Sequence, residues 1–327
     1  MKAMILAAGF GTRLFPLTID RTKPAIPFFG KPLVGYVAEY IAKFGFDDVV
    51  VNLHHQPESV KKALGDGSAF GTQIHYTYEK PKILGTAGAL DNAREHLEGD
   101  TFLVINGKII TDIDIDAALD THKESGALAT MVLMRNDARE HFTEVYVEDG
   151  RISGFGDFAD PELNGKEAPY MFTGIHIFEP RVFEYIPRGV YSDIVPTFYN
   201  PAIRKGETIA AHVTDGRWYE LSTIRRYLDI SLAMLNGNKD RLVLGRNNLI
   251  DSSASVEESV IWDDVTIGPN ARVYRSVIGD GVKVREGARY ENVAVVTGEM
   301  LSHCEGIPQK ALKGEFDGEN YVVRLTN

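Results

Sequence analysis

The chain has 327 residues and a single cysteine, Cys304, so it can form neither an intramolecular disulfide nor a cysteine-rich metal site. That usage suits a reducing compartment, and a cytoplasmic location is expected. Positive charge is also in short supply, with 35 Lys and Arg against 46 Asp and Glu and a formal net charge of −11. Nucleic acid and anionic membrane surfaces, whose binding requires many phosphates to be neutralised, are therefore not expected partners, whereas a small anionic ligand needs only a local basic spot. Long hydrophobic runs are missing. No apolar stretch approaches bilayer-crossing length, and the opening MKAMILAAG, soon interrupted by glycines and Arg13, does not read as a signal peptide. The chain also lacks a Gly-x-Ser-x-Gly elbow and a cysteine in a nucleophile context, which leaves covalent acyl chemistry without support.

What the chain does contain is an ordinary globular composition, 44% hydrophobic and 25% charged, enough for one large domain and a smaller one. Short apolar runs at 2–7, 48–53, 73–78 and 101–106 alternate with helical patterns at 32–44, 58–64 and about 86–97. Repeated β-α units of this kind imply a Rossmann-like α/β domain with a mixed, mostly parallel sheet covered by helices on both faces. Beyond Ala127 the pattern turns strand-rich, at 129–134, 144–149 and 171–178, and closes with a helix at 225–235. The polar loop 236–240 marks a boundary, giving domains at 1–238 and 239–300 and a tail at 301–327.

Past that boundary, Ile250, Val256, Ile261, Ile267, Val273, Ile278, Val284, Tyr290 and Val295 recur in steps of 6, 5, 6, 6, 5, 6, 6 and 5. Three steps make one seventeen-residue coil, so every third position stacks, as a three-sided β-helix requires. Gly268 and Gly279 are expected at its corners. Adjacent His54 and His55 would point to opposite sides of a strand end, which disfavours joint metal ligation.

The segment LAAGFGTRLFPLTIDRTKPAIP, residues 6–27, places a glycine-rich turn directly after a strand, where backbone N–H groups can face phosphate oxygens. It is neither a Rossmann fingerprint, since Leu14 stands where a third glycine belongs, nor a P-loop, which needs Lys followed by Ser or Thr. Among its cations, Arg13 and Lys23 form a pair suited to a polyphosphate.

LAAGFGTRL, PLT and KP, together with a hexapeptide-type tail, resemble the sugar-1-phosphate nucleotidyltransferases, particularly their mannose-1-phosphate guanylyltransferase-like and N-acetylmuramate-1-phosphate uridylyltransferase-like members. The resemblance covers nearly the whole chain. It implies a nucleotidyltransferase domain followed by a short left-handed β-helix. It also implies a reaction in which a sugar-phosphate oxygen attacks the α-phosphorus of a nucleoside triphosphate and pyrophosphate leaves, with Mg²⁺ holding the reacting phosphates. By the same resemblance, Arg13 and Lys23 are catalytic and Leu6, Ala8, Gly9, Gly11 and Thr12 hold the nucleotide. LGTAGAL brings Gly85, Thr86, Ala87 and Gly88 to the base, although Thr86 can equally be read as a helix cap. Gly174 in FTGIHIF leaves room for the sugar, with Asn106, Gly107 and Glu79 as polar or close contacts.

The metal site departs from the family pattern. Lys108 follows Asn106-Gly107 where an aspartate is expected, and Trp218-Tyr219-Glu220-Leu221-Ser222-Thr223 offers Glu220 for the second aspartate and Ser222 for a glycine. An ammonium group cannot ligate Mg²⁺, which requires oxygen donors. Lys108 can be read as an engineered block, as a mark of natural loss of catalysis, or as a cation that contacts phosphate in place of the metal. Asp112 and Asp114 could supply carboxylates instead, or cap the helix that begins near 115. Thr22 replaces a usual proline, and residues 150–158 lack the lysine of the family's E-K-P segment. Two functions follow: an active nucleotidyltransferase using a nucleoside triphosphate and a sugar 1-phosphate, or a catalytically silent nucleotide-sugar-binding regulatory subunit. The β-helix offers a surface for homo-oligomer formation.

Overall fold

The computed structural model describes residues 1–158, 168–235, 241–302, 304 and 306–325; the boundary loop 236–240 lies outside the described residues. Contacts divide the chain into two compact units that do not follow chain order. One comprises Met1–Ala8, Val34–His54 and Leu64–Trp218, and the other Gly9–Leu33, His55–Ala63 and Tyr219–Asn327.

The first unit is built on a nine-stranded sheet. Its strands are β1 (Lys2–Leu6), β2 (Asp48–Leu53), β3 (Gln73–Tyr78), β4 (Phe102–Asn106), β5 (Ala129–Arg135), β6 (Thr143–Glu148), β7 (Arg151–Phe158), β8 (Tyr170–Phe178) and β9 (Ile209–Val213). They lie in the order β3-β2-β1-β4-β8-β5-β9-β7-β6. From β3 to β4 all pairings are parallel, with Ile5 between Val51 and Ile105. Strands β1, β2 and β4 are continuous apolar runs because both their faces are covered, and Met4, Ile5, Val49, Val51, Leu103 and Ile105 are fully buried. β8 then enters antiparallel between β4 and β5, so the second half of the sheet is mixed. The β6–β7 hairpin turns at Asp149 and Gly150, both at positive φ (48° and 72°), the conformation a tight right-twisted hairpin needs.

Helices α1 (Leu33–Ala42), α2 (Pro57–Leu64), α3 (Gly85–Asn92), α4 (Arg94–Leu97) and α5 (Ile115–Ser125) follow the expected alternation. The main core of the first unit packs Phe102, Phe178, Phe198 and Tyr199 against aliphatic residues of β1, β2, β4 and β5. Within it His176 bonds the Tyr199 hydroxyl at 2.5 Å, and complete burial lowers its pKa to about 3, so the imidazole is neutral.

In the second unit the seventeen-residue period is met strand by strand. Ile250 pairs with Ile267 and Ile267 with Val284; Val256, Val273 and Tyr290 align, as do Ile261, Ile278 and Val295. The corners are not made by Gly268 and Gly279, which do not lie in the left-handed region. A Cβ on Gly268 would sit 2.9 Å from the Glu286 nitrogen, and one on Gly279 would sit 3.1 Å from the Val295 carbonyl, so these glycines admit the next coil's backbone. Left-handed residues recurring at the coil period turn the corners: Asn247, Asp264 and Gly281 at one, and Glu258, Arg275 and Asn292 at another. The tail is not without structure. Asn320–Arg324 pairs antiparallel with Val293–Thr297, burying Tyr321 and Val323 over the last coil.

Candidate functional site

In open α/β sheets, ligands bind outside the carboxyl ends of parallel strands. At these ends in the first unit, Asn52, the penultimate residue of β2, accepts the Ala7 N–H through Oδ1 (2.8 Å) and donates through Nδ2 to Glu79 Oε1 (2.6 Å). The other Glu79 oxygen accepts the Leu84 N–H at 2.6 Å, and His54 Nδ1 meets the Glu79 carbonyl at 2.8 Å. Glu79 is 1% exposed, and its carboxylate is engaged at both oxygens. It thereby ties the ends of β1, β2 and β3 to the Leu84 segment. Asn52 was not singled out in the sequence. The available signal was one amide inside the apolar run DVVVNL.

The Gly85–Gly88 segment is the first turn of α3. Thr86 is not its cap; Leu84 occupies that position, and the Thr86 hydroxyl accepts the Ile194 N–H at 2.8 Å. The N–H groups of Ala87 and Gly88 donate to the Ser192 carbonyl at 2.9 and 3.1 Å. Gly85, at φ +74°, would place a Cβ 2.6 Å from the Ser192 carbonyl oxygen, and Gly88 would place one 2.8 Å from that of Val190. These glycines admit a protein backbone.

Gly174 has φ +86° and lies in the register shift between Phe172 and His176; a Cβ there would collide with the Asn106 side chain. Asn106 at the end of β4 and Gly174 on β8 are thus brought together, and the amide fills the space beside the glycine. Gly107 donates its N–H to the Leu6 carbonyl at 3.0 Å, fastening the turn that follows β4 to the end of β1.

The glycine-rich loop belongs to the second unit. Gly9 is exposed, and a Cβ on it would meet nothing within 4 Å, so the space beside it is open to a ligand. Gly11 is left-handed at φ +65° and starts the short 3₁₀ turn Thr12–Leu14, with the Thr18 hydroxyl donating to its carbonyl at 3.2 Å. Arg13 on this turn is exposed, whereas Lys23, which opens a second 3₁₀ turn with Pro24, is 8% exposed. The Thr22 N–H donates to Ser59 Oγ on α2 at 3.1 Å, a bond that a proline would lack. His55 of the adjoining segment packs on Phe10, with ring centroids 5.3 Å apart.

The residues at the two metal positions do not fit a magnesium site. Lys108 brings no lone pair, and Glu220 supplies one carboxylate, with its carbonyl held by Arg226 Nε at 2.7 Å. Neither nearby aspartate supplies the missing ligand. Asp112 is paired with Arg217 at 2.6 Å; partial burial opposes ionisation there, but the Arg217 bonds outweigh it and keep the carboxylate below its usual pKa. Asp114 caps α5 by accepting the Ala117 N–H at 3.2 Å. Among the described residues no group of three or more His, Cys, Asp or Glu is placed to hold a metal. No described helix is long and apolar enough to cross a membrane.

A mixed sheet whose first strand runs into a glycine-rich cationic loop, followed by a triple-period β-helix, defines an α/β nucleotide-binding protein with a hexapeptide tail. The chain belongs to the nucleotidyl transferase family, whose model matches residues 2–237, and a GlmU-like C-terminal hexapeptide model matches 231–291, the left-handed β-helix. It is 31% identical to a UTP–glucose-1-phosphate uridylyltransferase from Synechocystis sp., over 87% of this chain and 76% of that protein. It is 34% identical to an N-acetylmuramate α-1-phosphate uridylyltransferase from Neisseria meningitidis, over 69% of this chain and 95% of that protein. A mannose-1-phosphate guanylyltransferase from Mycobacterium tuberculosis is 29% identical, over 89% and 83%. The fold matches a solved putative glucose-1-phosphate thymidylyltransferase from Bacillus anthracis with a TM-score of 0.60 and 23% identity, covering 73% of this chain and 98% of that one.

Proposed function

We propose that the protein transfers a nucleotidyl group from a nucleoside triphosphate to a sugar 1-phosphate. An oxygen of the sugar phosphate attacks the α-phosphorus, the bond from that phosphorus to the β-phosphate bridging oxygen breaks, and pyrophosphate leaves. Family membership across residues 2–237 is the observation that carries this reading. The three relatives described above are named as sugar-phosphate nucleotidyltransferases, and none supports a silent regulatory subunit.

Such chemistry asks the protein for positioning and charge stabilisation. In this reading Arg13 stabilises charge on the triphosphate and Lys23 binds phosphate near the reacting centre. The backbone of Leu6, Ala8, Gly9, Gly11 and Thr12 faces the nucleotide, main-chain groups of residues 85–88 face the base, and Asn106, Gly107 and Gly174 border the sugar. Lys108 brings a cation, not an oxygen donor, to one of the two positions where the family places a magnesium ligand. The catalytic domain is taken as 1–238 and the β-helix as 239–300, with self-association through the latter, and a compartment suited to nucleoside triphosphates and one free thiol is the cytoplasm.

Pyrophosphate release with a panel of triphosphates and hexose 1-phosphates tests this. Arg13→Gln and Lys23→Gln are each expected to lower kcat/KM by about 100-fold, the scale of one lost transition-state cation. No pyrophosphate from any pair, together with tight nucleotide-sugar binding by calorimetry, would replace the enzyme with the silent subunit.

A further inference from the structure

The β-helix is laddered at its coil period by carboxylates. Asp263 Oδ1 accepts the Arg246 N–H at 2.8 Å, and Asp280 Oδ1 accepts the Asp263 N–H at 3.0 Å. Asp263 gives its second oxygen to the guanidinium of Arg246, at 2.7 Å. Asp280, one coil further on, gives its second oxygen to Arg21 of the glycine-rich loop segment, also at 2.7 Å.

Arg21 is further held by both oxygens of Asp20, at 2.8 and 2.7 Å, and its guanidinium lies over the Trp262 ring, 5.1 Å from the centroid. Burial alone would lower its pKa, but the two carboxylates outweigh it and leave the guanidinium more firmly charged than usual. Trp262, 4% exposed, donates its indole N–H to the Tyr227 hydroxyl at 3.0 Å, and that hydroxyl donates to the Pro27 carbonyl at 2.6 Å. Tyr227 is a fully packed residue of α6 (Ile224–Ala233). One tryptophan of the β-helix thus grips the segment 21–27 at both ends, through Arg21 at one and through Tyr227 and Pro27 at the other. Lys23 lies between the two grips.

Simple packing of a tail against a domain needs only apolar contact. A desolvated guanidinium shared between two carboxylates and an aromatic face, with a hydrogen-bonded indole behind it, fixes direction as well as proximity. We propose that Arg21 is a positioning residue for the triphosphate loop, and that Asp280 and Trp262 make the β-helix a working part of the nucleotide site. The proposal rests on the nucleotidyl-transfer reading.

The test uses the full chain with Arg21→Gln, Asp280→Asn, Trp262→Phe and, as a control, Arg272→Gln in an exposed β-helix ion pair. Arg21→Gln and Asp280→Asn are expected to raise the KM for the nucleoside triphosphate about tenfold, with the KM for the sugar 1-phosphate changing less than about twofold. Trp262→Phe, which keeps a ring beneath the guanidinium but loses the indole N–H, is expected to fall between parent and Arg21→Gln, and Arg272→Gln to match the parent. Unchanged triphosphate KM values, or a uniform fall in kcat that tracks melting temperature, would overturn the proposal. Hydrogen exchange of amides 9–27 in the ligand-free chain decides it independently of activity. Exchange about tenfold faster in Arg21→Gln and confined to that segment supports the latch, and unchanged exchange refutes it. A parent chain that releases no pyrophosphate refutes the proposed reaction, while the exchange measurement still decides the latch.

Discussion

The two glycine-rich segments, Gly9 to Gly11 and Gly85 to Gly88, read alike in sequence yet differ in what their missing side chains make room for. Beside Gly9 there is open space, whereas a Cβ on Gly85 would lie 2.6 Å from the Ser192 carbonyl oxygen. In the first segment only Gly11 is crowded by the chain itself, by Thr18 and Lys23, and Gly9 is not. In the second, Ser192 and Asp193 already satisfy N–H groups that begin α3, so its glycines hold the backbone of 190–193 in place. Whether the backbone of the chain itself fills the space beside a glycine-rich turn is decided by the fold.

Substitutions can break this contrast. Gly85→Ala combines a left-handed φ with a backbone collision and is expected to cost about 3 kcal/mol of unfolding free energy, read by denaturant titration. A loss below about 1 kcal/mol would mean that the 190–193 segment yields easily and that the site is softer than its geometry. Gly9→Ala should leave stability within about 0.5 kcal/mol but raise the triphosphate KM about tenfold, because the methyl enters the open space. Equal losses of stability in the two variants would erase the distinction. Thr86→Val removes the acceptor of the Ile194 N–H and is expected to cost about 1 kcal/mol, with triphosphate KM unchanged; a shift in KM without one in stability would return Thr86 to the ligand.

Much of the architecture could be read in the chain. The apolar runs at 48–53 and 73–78 are strands with those limits, and the alignment of Ile250, Ile267 and Val284 follows from counting. Strands β7 and β9 escaped. In β7 three of the eight residues are serine or glycine and hide the alternation, and β9, IAAHV, is short and alanine-rich. The tail was unreadable because its strand is defined by pairing with Val293–Thr297.

The sequence by itself determined the glycine-rich loop with its cations, the β-α alternation and the coil period, since each rests on residue types at short or regular spacing. Only the tertiary structure decided that Glu79 braces strand ends, that Asp112 belongs to Arg217, and that Arg21 reaches Asp280 across 259 residues of chain. Those roles depend on which polar groups meet after distant segments pack, and burial then obliges each to find a partner.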